Sequence, residues 1–592
     1  MITHLRRCTM DPIKVDFSNK KGSGKKEIVI PPEKAALKII LSIVGMLVFA
    51  VVAFYVMLPA INLKSYDFYI YLGMVAASYV VFNGLFSNVM AKPEYIPYVK
   101  RRAIVPGIII GILVLTVGIG YLVSCEFFRA EDYHKIISVE TSSFTEEIEA
   151  QDIESFKAIP KLDNDSATEL ANKALGELAE KGYVSQFTAS PESTQINYKE
   201  TPVRVAPLKY ASVIKWLYNT KEGLPGYVII DMADESTEFK EANIKYSTAE
   251  YFNEKLSRHL RFSYPTYLFG DATFEINDEG KPFWICPRLD KTIGLFGGTD
   301  VIGAVMVDAE TGECVYYDID TFRNDESLKW VDRVYDSDLI VEQFNFYGKY
   351  PHKFWNSILG QKDVITTTQG YNYIAKDDDV WMYTGVTSVT SDSSITGFVL
   401  VNQRTREAQY YPVTGGTEAS AQEAAQGRVK QYNYTATFPL IVNIDGQPTY
   451  FMSLKDASNI VQQYALINVN QYNKIGATSS DLSACLDSYR KSLKSNGAEI
   501  QQPVEPDVQA PVVDEKPVEG GDAVATGTVA EIRTAVKGGD SYYYIKLDSS
   551  AAYFSIAASK DETVVILNKG DNVTITYSGE GAIISADSIK IN

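Results

Sequence analysis

Residues 37–58 read LKIILSIVGMLVFAVVAFYVML, and this stretch decides the fold of the N-terminal part of the chain. It is apolar apart from Lys38 at its edge and Ser42. A helix of 22 residues crosses about 33 Å, enough for the roughly 30 Å of hydrocarbon in a bilayer. Residues 69–89 and 103–125 are also long, apolar and without charged side chains. The sequence therefore predicts a three-helix transmembrane anchor over residues 37–125.

The distribution of Lys and Arg predicts the orientation of this anchor. The basic tail of residues 1–36 carries Arg6, Arg7, Lys14, Lys20, Lys21, Lys25, Lys26 and Lys34, and the second loop carries Lys92, Lys100, Arg101 and Arg102. The first loop carries only Lys64. Basic loops stay on the cytoplasmic side. We therefore expect a multi-pass protein of the cell membrane with a cytoplasmic N-terminus and all residues after Cys125 outside the cytoplasm.

Charge separates the anchor from the remainder of the chain. Residues 1–129 hold 15 Lys and Arg against 7 Asp and Glu, a net charge of +8. The whole chain of 592 residues has a net charge of −18, so residues 130–592 have a net charge of −26. A binding site for nucleic acid draws its affinity from neutralising phosphates. The acidic outer part is therefore predicted to have no nucleic acid partner.

No motif of enzymatic or metal chemistry stands out in the sequence. The chain lacks a GxSxG elbow at a strand–helix junction, an HExxH motif and a phosphate-binding loop, and its four histidines are widely spaced. The glycine-rich run GLFGG at residues 294–298 is interpreted as a flexible turn, and Asp377–379 as a solvated turn. We therefore assign no catalytic, cofactor-binding or metal-binding residues, expect no cofactor, and predict a protein that is not an enzyme.

Two of the five cysteines are candidates for a disulfide. Cys286 and Cys314 lie in the outer part of the chain, and pairing requires that this compartment is oxidising. Spacing alone does not show that they pair. Small buried free thiols are the alternative interpretation.

Short segments recur between residues 130 and 496. A strand-like run marked by proline reads KETPVRVAPL at residues 199–208, EGKPFWICPRL at 279–289 and DGQPTYFMSL at 445–454. A glycine followed by four mostly apolar residues and Asp or Asn reads GYVIID at 226–231, GAVMVD at 303–308 and GFVLVN at 397–402. Two of these copies continue through a polar turn into another strand, which indicates antiparallel hairpins.

Helices are predicted ahead of the proline-marked strands. Ser166-x-x-Glu169 and Ser247-x-x-Glu250 have the form of capping boxes, and residues 417–431 form a third helical pattern. The fold class is therefore multi-domain: transmembrane helices, then α+β repeats with a helix packed on small antiparallel sheets, then a small β barrel. The repeats are placed at residues 130–245, 246–325, 326–415 (divergent) and 416–496.

The helix–strand–strand unit with its GxVxVD hairpin resembles PepSY-type domains. That resemblance implies small non-catalytic modules outside the membrane that restrain peptidases or bind other proteins. The chain as a whole resembles membrane-anchored proteins of Gram-positive bacteria that have no agreed biochemical role.

A tail domain follows a Pro/Glu-rich linker at residues 497–523. Residues 524–592 contain five strand patterns and resemble an OB-fold barrel, a fold that often binds oligonucleotides or oligosaccharides. Tyr542, Tyr544 and Tyr553 are a candidate binding surface. Structural packing of these rings is the alternative. The tail carries 6 Lys and Arg against 8 Asp and Glu, which disfavours nucleic acid.

These patterns favour a binding or scaffolding protein of the cell envelope. Its expected partners are the lipid bilayer and another envelope protein, such as a peptidase, or a wall polymer. An envelope hydrolase or transferase is one alternative, for which His259 and His352 are the residues to test. An accessory subunit of a membrane assembly or transport complex is the other.

Overall fold

A computed structural model describes most of the chain. The described residues are 29–151, 159–177, 182–376, 378–389, 394–498, 523–537, 540–550, 552–558, 560–577 and 583–591. Residues 1–28 of the predicted tail, nearly all of the predicted linker and Asp377 lie outside them. The chain divides into two compact units, Met1–Pro503 and Val504–Asn592.

Three helices at the start of the first unit are long and apolar enough to cross a membrane, as predicted. They are α1 (Ala35–Met57), α2 (Tyr66–Phe86) and α3 (Ile96–Ser124). Their outward-facing side chains are apolar and exposed in the absence of lipid. Helix α3 begins earlier than predicted and includes the basic run before residue 103, because Pro97 fits the first turn of a helix.

The helices pack through small and polar residues, which is typical of membrane bundles. The Asn83 side chain of α2 donates a buried hydrogen bond to Ser42 of α1 at 3.3 Å. Gly45 permits close contact with the Phe82 ring, since a Cβ at that position would lie 2.9 Å from it.

The chain leaves the last span through a short segment and enters two sheets. This part contains α4 (Glu126–His134), β1 (Glu140–Thr141), α5 (Phe144–Glu147), α6 (Asn164–Glu177), α7 (Val213–Asn219), α8 (Leu256–Ser263) and α9 (Ile319–Asn324). Sheet 1 contains β2 (Phe187–Ala189), β3 (Thr194–Tyr198), β4 (Thr201–Tyr210), β5 (Leu224–Asp231) and β6 (Thr237–Ile244). Sheet 2 contains β7 (Leu268–Phe269), β8 (Thr273–Ile276), β9 (Pro282–Ile293), β10 (Gly297–Asp308) and β11 (Cys314–Asp318).

Two further sheets complete the first unit. The helices here are α10 (Ser337–Lys349), α11 (Lys353–Trp355), α12 (Glu418–Arg428) and α13 (Leu482–Ser495). Sheet 3 contains β1, β12 (Ile365–Thr367), β13 (Asn372–Lys376), β14 (Asp379–Ser388), β16 (Gly397–Asn402) and β17 (Ala408–Tyr411). Separately, β15 (Ser394–Ile395) pairs with β18 (Gly415–Gly416). Sheet 4 contains β19 (Thr435–Ala436), β20 (Leu440–Ile444), β21 (Gln447–Lys455), β22 (Val461–Asn468) and β23 (Gly476–Ser479).

Neighbouring sheets share their hydrophobic cores. One core combines sheets 1 and 2 with α6, a second combines sheets 2 and 3 with α10, and a third combines sheets 3 and 4 with α12. A fourth core packs α13 on sheet 4. A helix on one small sheet buries little apolar surface, and the shared cores supply the remainder.

The recurring glycines have a steric origin. A Cβ on Gly226 would lie 2.0 Å from the backbone oxygen of Lys240, and one on Gly303 would lie 2.3 Å from that of Tyr317. At both positions the neighbouring strand passes too close for a side chain, and φ is +155°. A register shift lies beside each glycine, between β5 and β6 at Gly226 and between β9 and β10 at Gly303.

Two helix starts differ from the predicted capping boxes. Helix α6 begins earlier, because Asp163 accepts the backbone N–H of Ser166 at 3.0 Å and acts as the cap. The carboxylate of Glu250 accepts hydrogen bonds from Tyr210 and from Trp216 (2.8 Å), so it does not cap a helix. The third predicted helix is present as α12, capped by Thr417.

The second unit is a closed barrel of five strands. They are β24 (Ala523–Lys537), β25 (Asp540–Leu547), β26 (Tyr553–Ala557), β27 (Asn572–Tyr577) and β28 (Ile583–Ile591), with a 3₁₀ turn at Glu562–Ile566. The strand order around the barrel is β24-β25-β26-β28-β27. Only the β26–β28 pair is parallel among the described pairings of the barrel. Alternate residues face an apolar core of their own.

Candidate functional site

The three tyrosines singled out from the sequence lie on one outer face of the barrel. Tyr544 of β25 pairs with Ser555 of β26, and Tyr553 of β26 pairs with Lys546 of β25. Side chains at alternate positions share a face of a sheet, so Tyr542, Tyr544 and Tyr553 all face away from the barrel core. Each of the three is half-buried.

Charged side chains lie beside the Tyr553 ring. The Tyr553 hydroxyl donates to Glu531 of β24 at 2.6 Å, and Arg533 donates to the same carboxylate at 2.8 Å. The Arg533 guanidinium lies 5.6 Å from the Tyr553 ring centre, and the Lys546 ammonium lies 5.3 Å from it. Hydrogen bonds from Tyr553 and Arg533 hold the pKa of Glu531 below its usual value.

This arrangement offers flat ring surfaces beside a fixed donor and acceptor pair. Aromatic rings supply contact area at a small entropic cost, and Arg and Glu supply directional hydrogen bonds. The surface covers the second and third strands of the barrel. It is suited to a ligand that presents both apolar faces and hydroxyl or amide groups.

The two cysteines considered for a disulfide are free thiols in the structure. Cys286 pairs with Val305 and Cys314 pairs with Val307, so β10 runs between them. Strands are spaced about 4.8 Å apart, which places the two cysteine strands about 10 Å from each other. A disulfide requires Cα atoms closer than about 7 Å. A bond between these cysteines therefore requires rearrangement of sheet 2.

The histidines that sequence reasoning kept as candidates lie apart. A ring nitrogen of His259 lies 2.7 Å from the backbone oxygen of Gly312. His352 is exposed and lies 2.9 Å from Asp363, a carboxylate that no sequence pattern had placed beside it. Among the described residues, no three His, Cys, Asp or Glu side chains are grouped in a way that could hold a metal ion.

Buried carboxylates gather where three sheets meet, and sequence reasoning missed them. Glu275 of β8 accepts the backbone N–H groups of Asp332 (2.8 Å) and Arg333 (3.1 Å). Asp332 accepts the backbone N–H of Asn197 of β3 at 2.6 Å. The Asn197 side chain donates to Asp378, beside β14, at 2.8 Å. No local signal in the sequence brings these residues together, because they are far apart along the chain.

Burial changes the protonation of this carboxylate pair. It raises the pKa of Glu275 to about 7. Burial, with the charge of Glu275 as the second cause, holds the pKa of Asp332 well above its usual value. One oxygen of Asp332 has no hydrogen-bond partner in the described part of the chain. The pair therefore carries protons at a pH where ordinary carboxyl groups are ionised.

Asp379 was interpreted as part of a solvated turn, and that interpretation is wrong. Its side chain is buried and accepts two hydrogen bonds from Arg404, at 2.7 and 2.6 Å. Asn402 donates a third at 2.8 Å. The ion pair fastens the start of β14 to the turn after β16.

The GLFGG run is a hairpin tip that docks on the membrane helices. Ser124, the last residue of α3, accepts the backbone N–H groups of Leu295 (2.8 Å) and Phe296 (2.9 Å) with its side-chain oxygen. The Phe296 ring stacks on Tyr66 of α2, with ring centres 4.2 Å apart, and meets Tyr69 edge-on at 5.8 Å. The tip between β9 and β10 is thus held between the ends of two spans.

Further contacts join the helix ends to the sheets. Lys64 of the α1–α2 loop forms an ion pair with Asp290 of β9 at 2.8 Å. Arg261 of α8 donates to the backbone oxygen of Leu58 at 3.0 Å. The Arg258 guanidinium lies 4.2 Å from the Tyr55 ring centre. The α1–α2 loop and the end of α3 therefore lie on the same side of the helices as the four sheets.

Comparison with known proteins adds no family. No family model matches the sequence, and no significant similarity was found to a curated protein or to a solved structure.

Proposed function

We propose that this chain is a membrane-anchored binding and scaffolding protein of the cell envelope, with its four sheets and its barrel outside the cytoplasm. The observation that carries the binding role is the outward face formed by Tyr542, Tyr544 and Tyr553 beside Glu531 and Arg533. The scaffolding role rests on the docking of the sheets on the ends of three apolar helices.

The orientation rests on two observations that agree. Lys100, Arg101 and Arg102 lie at the start of α3, at the opposite end from Ser124. Basic residues favour the cytoplasmic side. The α1–α2 loop, whose only basic residue is Lys64, contacts the sheets. This charge bias supports placement of the sheets outside.

The four helix-and-sheet segments are proposed to be PepSY-like repeats. In sequence order each has a helix, short strands that pair with the first long strand, a second long strand and a closing strand. Helices α6, α8, α10 and α12 precede sheets 1 to 4 in turn. Repeats that share cores present an extended surface to a partner, which supports a scaffolding role.

The barrel is proposed to be OB-like and to bind a glycan of the envelope. Its strand order and the position of its 3₁₀ turn between β26 and β27 support the OB assignment. The excess of acidic over basic residues in residues 524–592 disfavours nucleic acid. A polyhydroxylated polymer matches the ring faces and the Glu531–Arg533 pair.

Titration with a defined ligand tests the binding role. The full chain in detergent is sedimented with purified wall sacculi and titrated with soluble glycan fragments released from them. Tyr544→Ala and Tyr553→Ala are expected to weaken binding at least about five-fold, which corresponds to about 1 kcal/mol of binding free energy. Tyr432→Ala, an exposed tyrosine of the first unit, is the control and is expected to leave binding unchanged. Equal binding by all variants contradicts a role for this face.

A further inference from the structure

Two exposed apolar patches flank the outer ends of the membrane helices. The first, called the α4 patch, consists of Phe127, Phe128, Trp355, Ile358 and Leu359. Leu359 is 77% exposed and Trp355 is 59% exposed. The Phe127 ring packs on Trp355 at 5.8 Å, which joins α4 to α11. Large aliphatic and aromatic side chains this exposed in a cluster mark a surface with a partner.

The second patch lies beside the end of α1. This α7 patch consists of Ile214, Leu217, Tyr218, Phe252 and Phe262. Tyr218 is 85% exposed and Leu217 is 61% exposed. Beneath them, the Trp216 ring is buried and packs against Phe252 at 5.7 Å. The patch is thus a supported surface rather than a loose loop.

Each patch is continuous with the apolar surface of a span. Phe127 follows the last residue of α3 by three positions. Phe262 packs edge-on against Phe54 in the last turn of α1, with ring centres 5.9 Å apart. The lipid-facing surface therefore continues from two different spans onto the sheets, on the side where the sheets lie.

The composition of the patches fits a lipid interface. Trp and Tyr prefer the boundary between hydrocarbon and headgroups, where one end of the side chain is apolar and the other is wet. Exposed Lys353 and Lys362 flank Trp355 and Leu359. Lysines at the edge of an apolar surface favour phospholipid phosphates. Binding of a soluble protein does not explain why both patches lie directly beside the end of a span.

We infer that both patches are immersed in the outer leaflet of the same membrane that α1–α3 cross. The first unit then lies on the bilayer and is held by three spans and by two apolar surfaces. This inference rests on the proposed membrane anchorage, but it is independent of the tyrosine face of the barrel. It restricts tilting of the sheets relative to the membrane, because one patch must leave lipid if the sheets tilt.

Depth measurement on the full chain in phospholipid vesicles tests the inference. Leu359→Cys and Leu217→Cys are labelled with a nitroxide in a chain whose Cys8, Cys125 and Cys314 are replaced by serine. Val51→Cys of α1 is the control for a span, and Ile460→Cys, an exposed apolar residue between β21 and β22, is the control for water. Collision rates with oxygen and with a water-soluble nickel complex give the depth of each label.

Labels at 359 and 217 are expected to lie about 5–10 Å inside the headgroup boundary. The label at 51 is expected to lie deep in hydrocarbon and the label at 460 in water. Labels at residues 359 or 217 that collide with the nickel complex as freely as the label at residue 460 overturn the inference. The membrane anchorage still holds in that case if the label at residue 51 lies in hydrocarbon. A label at residue 51 that is exposed to water contradicts the membrane anchorage itself. A label shielded from both reagents indicates a protein partner on the patch and also overturns the inference.

Discussion

The side-chain oxygen of Ser124, the last residue of α3, accepts a hydrogen bond from the backbone N–H of Phe296 at 2.9 Å. The same oxygen accepts the N–H of Leu295 and donates to the backbone oxygen of Gly120 at 2.7 Å. The Ser124 backbone oxygen accepts the Tyr133 hydroxyl at 2.8 Å. One residue at the end of a span thus fixes both the hairpin tip of sheet 2 and the helix that follows the span.

Ser124→Ala is expected to loosen this joint. It leaves two backbone N–H groups without their acceptor, and a buried unsatisfied group costs about 1–3 kcal/mol. Hydrogen exchange of residues 294–298 in detergent is expected to accelerate, and the thermal midpoint is expected to fall. Thr116→Val is the control, because Thr116 donates only within α3 among its described contacts. Unchanged exchange in Ser124→Ala contradicts the role of this residue.

Gly120→Ala is expected to destabilise the joint through a steric clash. A Cβ at this position would lie 2.5 Å from the Phe296 ring. Overpacking of this kind costs about 1–3 kcal/mol. In a Phe296→Ala background the contact with the ring disappears and the contact with the end of the flexible Leu295 side chain (2.8 Å) remains, so the cost of Gly120→Ala is expected to fall. A double-mutant cycle on the thermal midpoint measures this coupling, and additive effects contradict the contact.

Stability is expected to decrease as pH rises from 5 to 8, because of Glu275 and Asp332. Their folded pKa values lie above those of the unfolded chain, so the folded state holds more protons over this range. Raising the pH then favours unfolding. Asp332→Asn is expected to flatten the dependence of the thermal midpoint on pH.

Asp456→Asn is the matched control for this experiment. Asp456 is half-buried, and backbone hydrogen bonds from Ile460 and Ser458 lower its pKa, so it stays ionised between pH 5 and 8. Substitution of Asp456 is expected to leave the dependence of the thermal midpoint on pH unchanged. A slope in Asp332→Asn equal to that of the unmodified chain contradicts the assignment.

Asp379→Asn is expected to be strongly destabilising. Asp379 and Arg404 form a buried pair, and removal of one charge leaves the other without compensation at a cost of about 3–5 kcal/mol. Asp320→Asn removes an exposed partner of Arg323 and is expected to cost at most about 1 kcal/mol. Chemical denaturation of the full chain in detergent compares the two variants. Similar losses contradict the structural role of the buried pair.

Local patterns in the sequence predicted those parts of the fold that depend on local physics. Exposure of a long apolar run to water is unfavourable, so the three spans could be predicted directly from the sequence. The recurring glycine reflects a clash with a neighbouring strand, which is repeated wherever the hairpin is repeated. The three tyrosines named as a candidate surface come from two strands that pair, and they share a face.

Contacts between distant segments could not be predicted in this way. Glu250 has the spacing of a cap, but its carboxylate is used by Tyr210 and Trp216. The GLFGG run has the composition of a flexible turn, and its docking depends on Ser124 and Tyr66, which are distant along the chain. The carboxylates at the junction of sheets 1, 2 and 3 come from separate segments, so their proximity depends on packing of the sheets.

Cysteine labelling in intact cells tests the central claim most directly. Val565→Cys places a thiol on the exposed surface of the barrel, and Lys92→Cys places one in the α2–α3 loop. With a membrane-impermeant maleimide, residue 565 is expected to react in intact protoplasts, whereas residue 92 reacts only after permeabilisation. Reaction of residue 92 in intact protoplasts, with residue 565 protected until lysis, contradicts the proposed orientation and the envelope role with it.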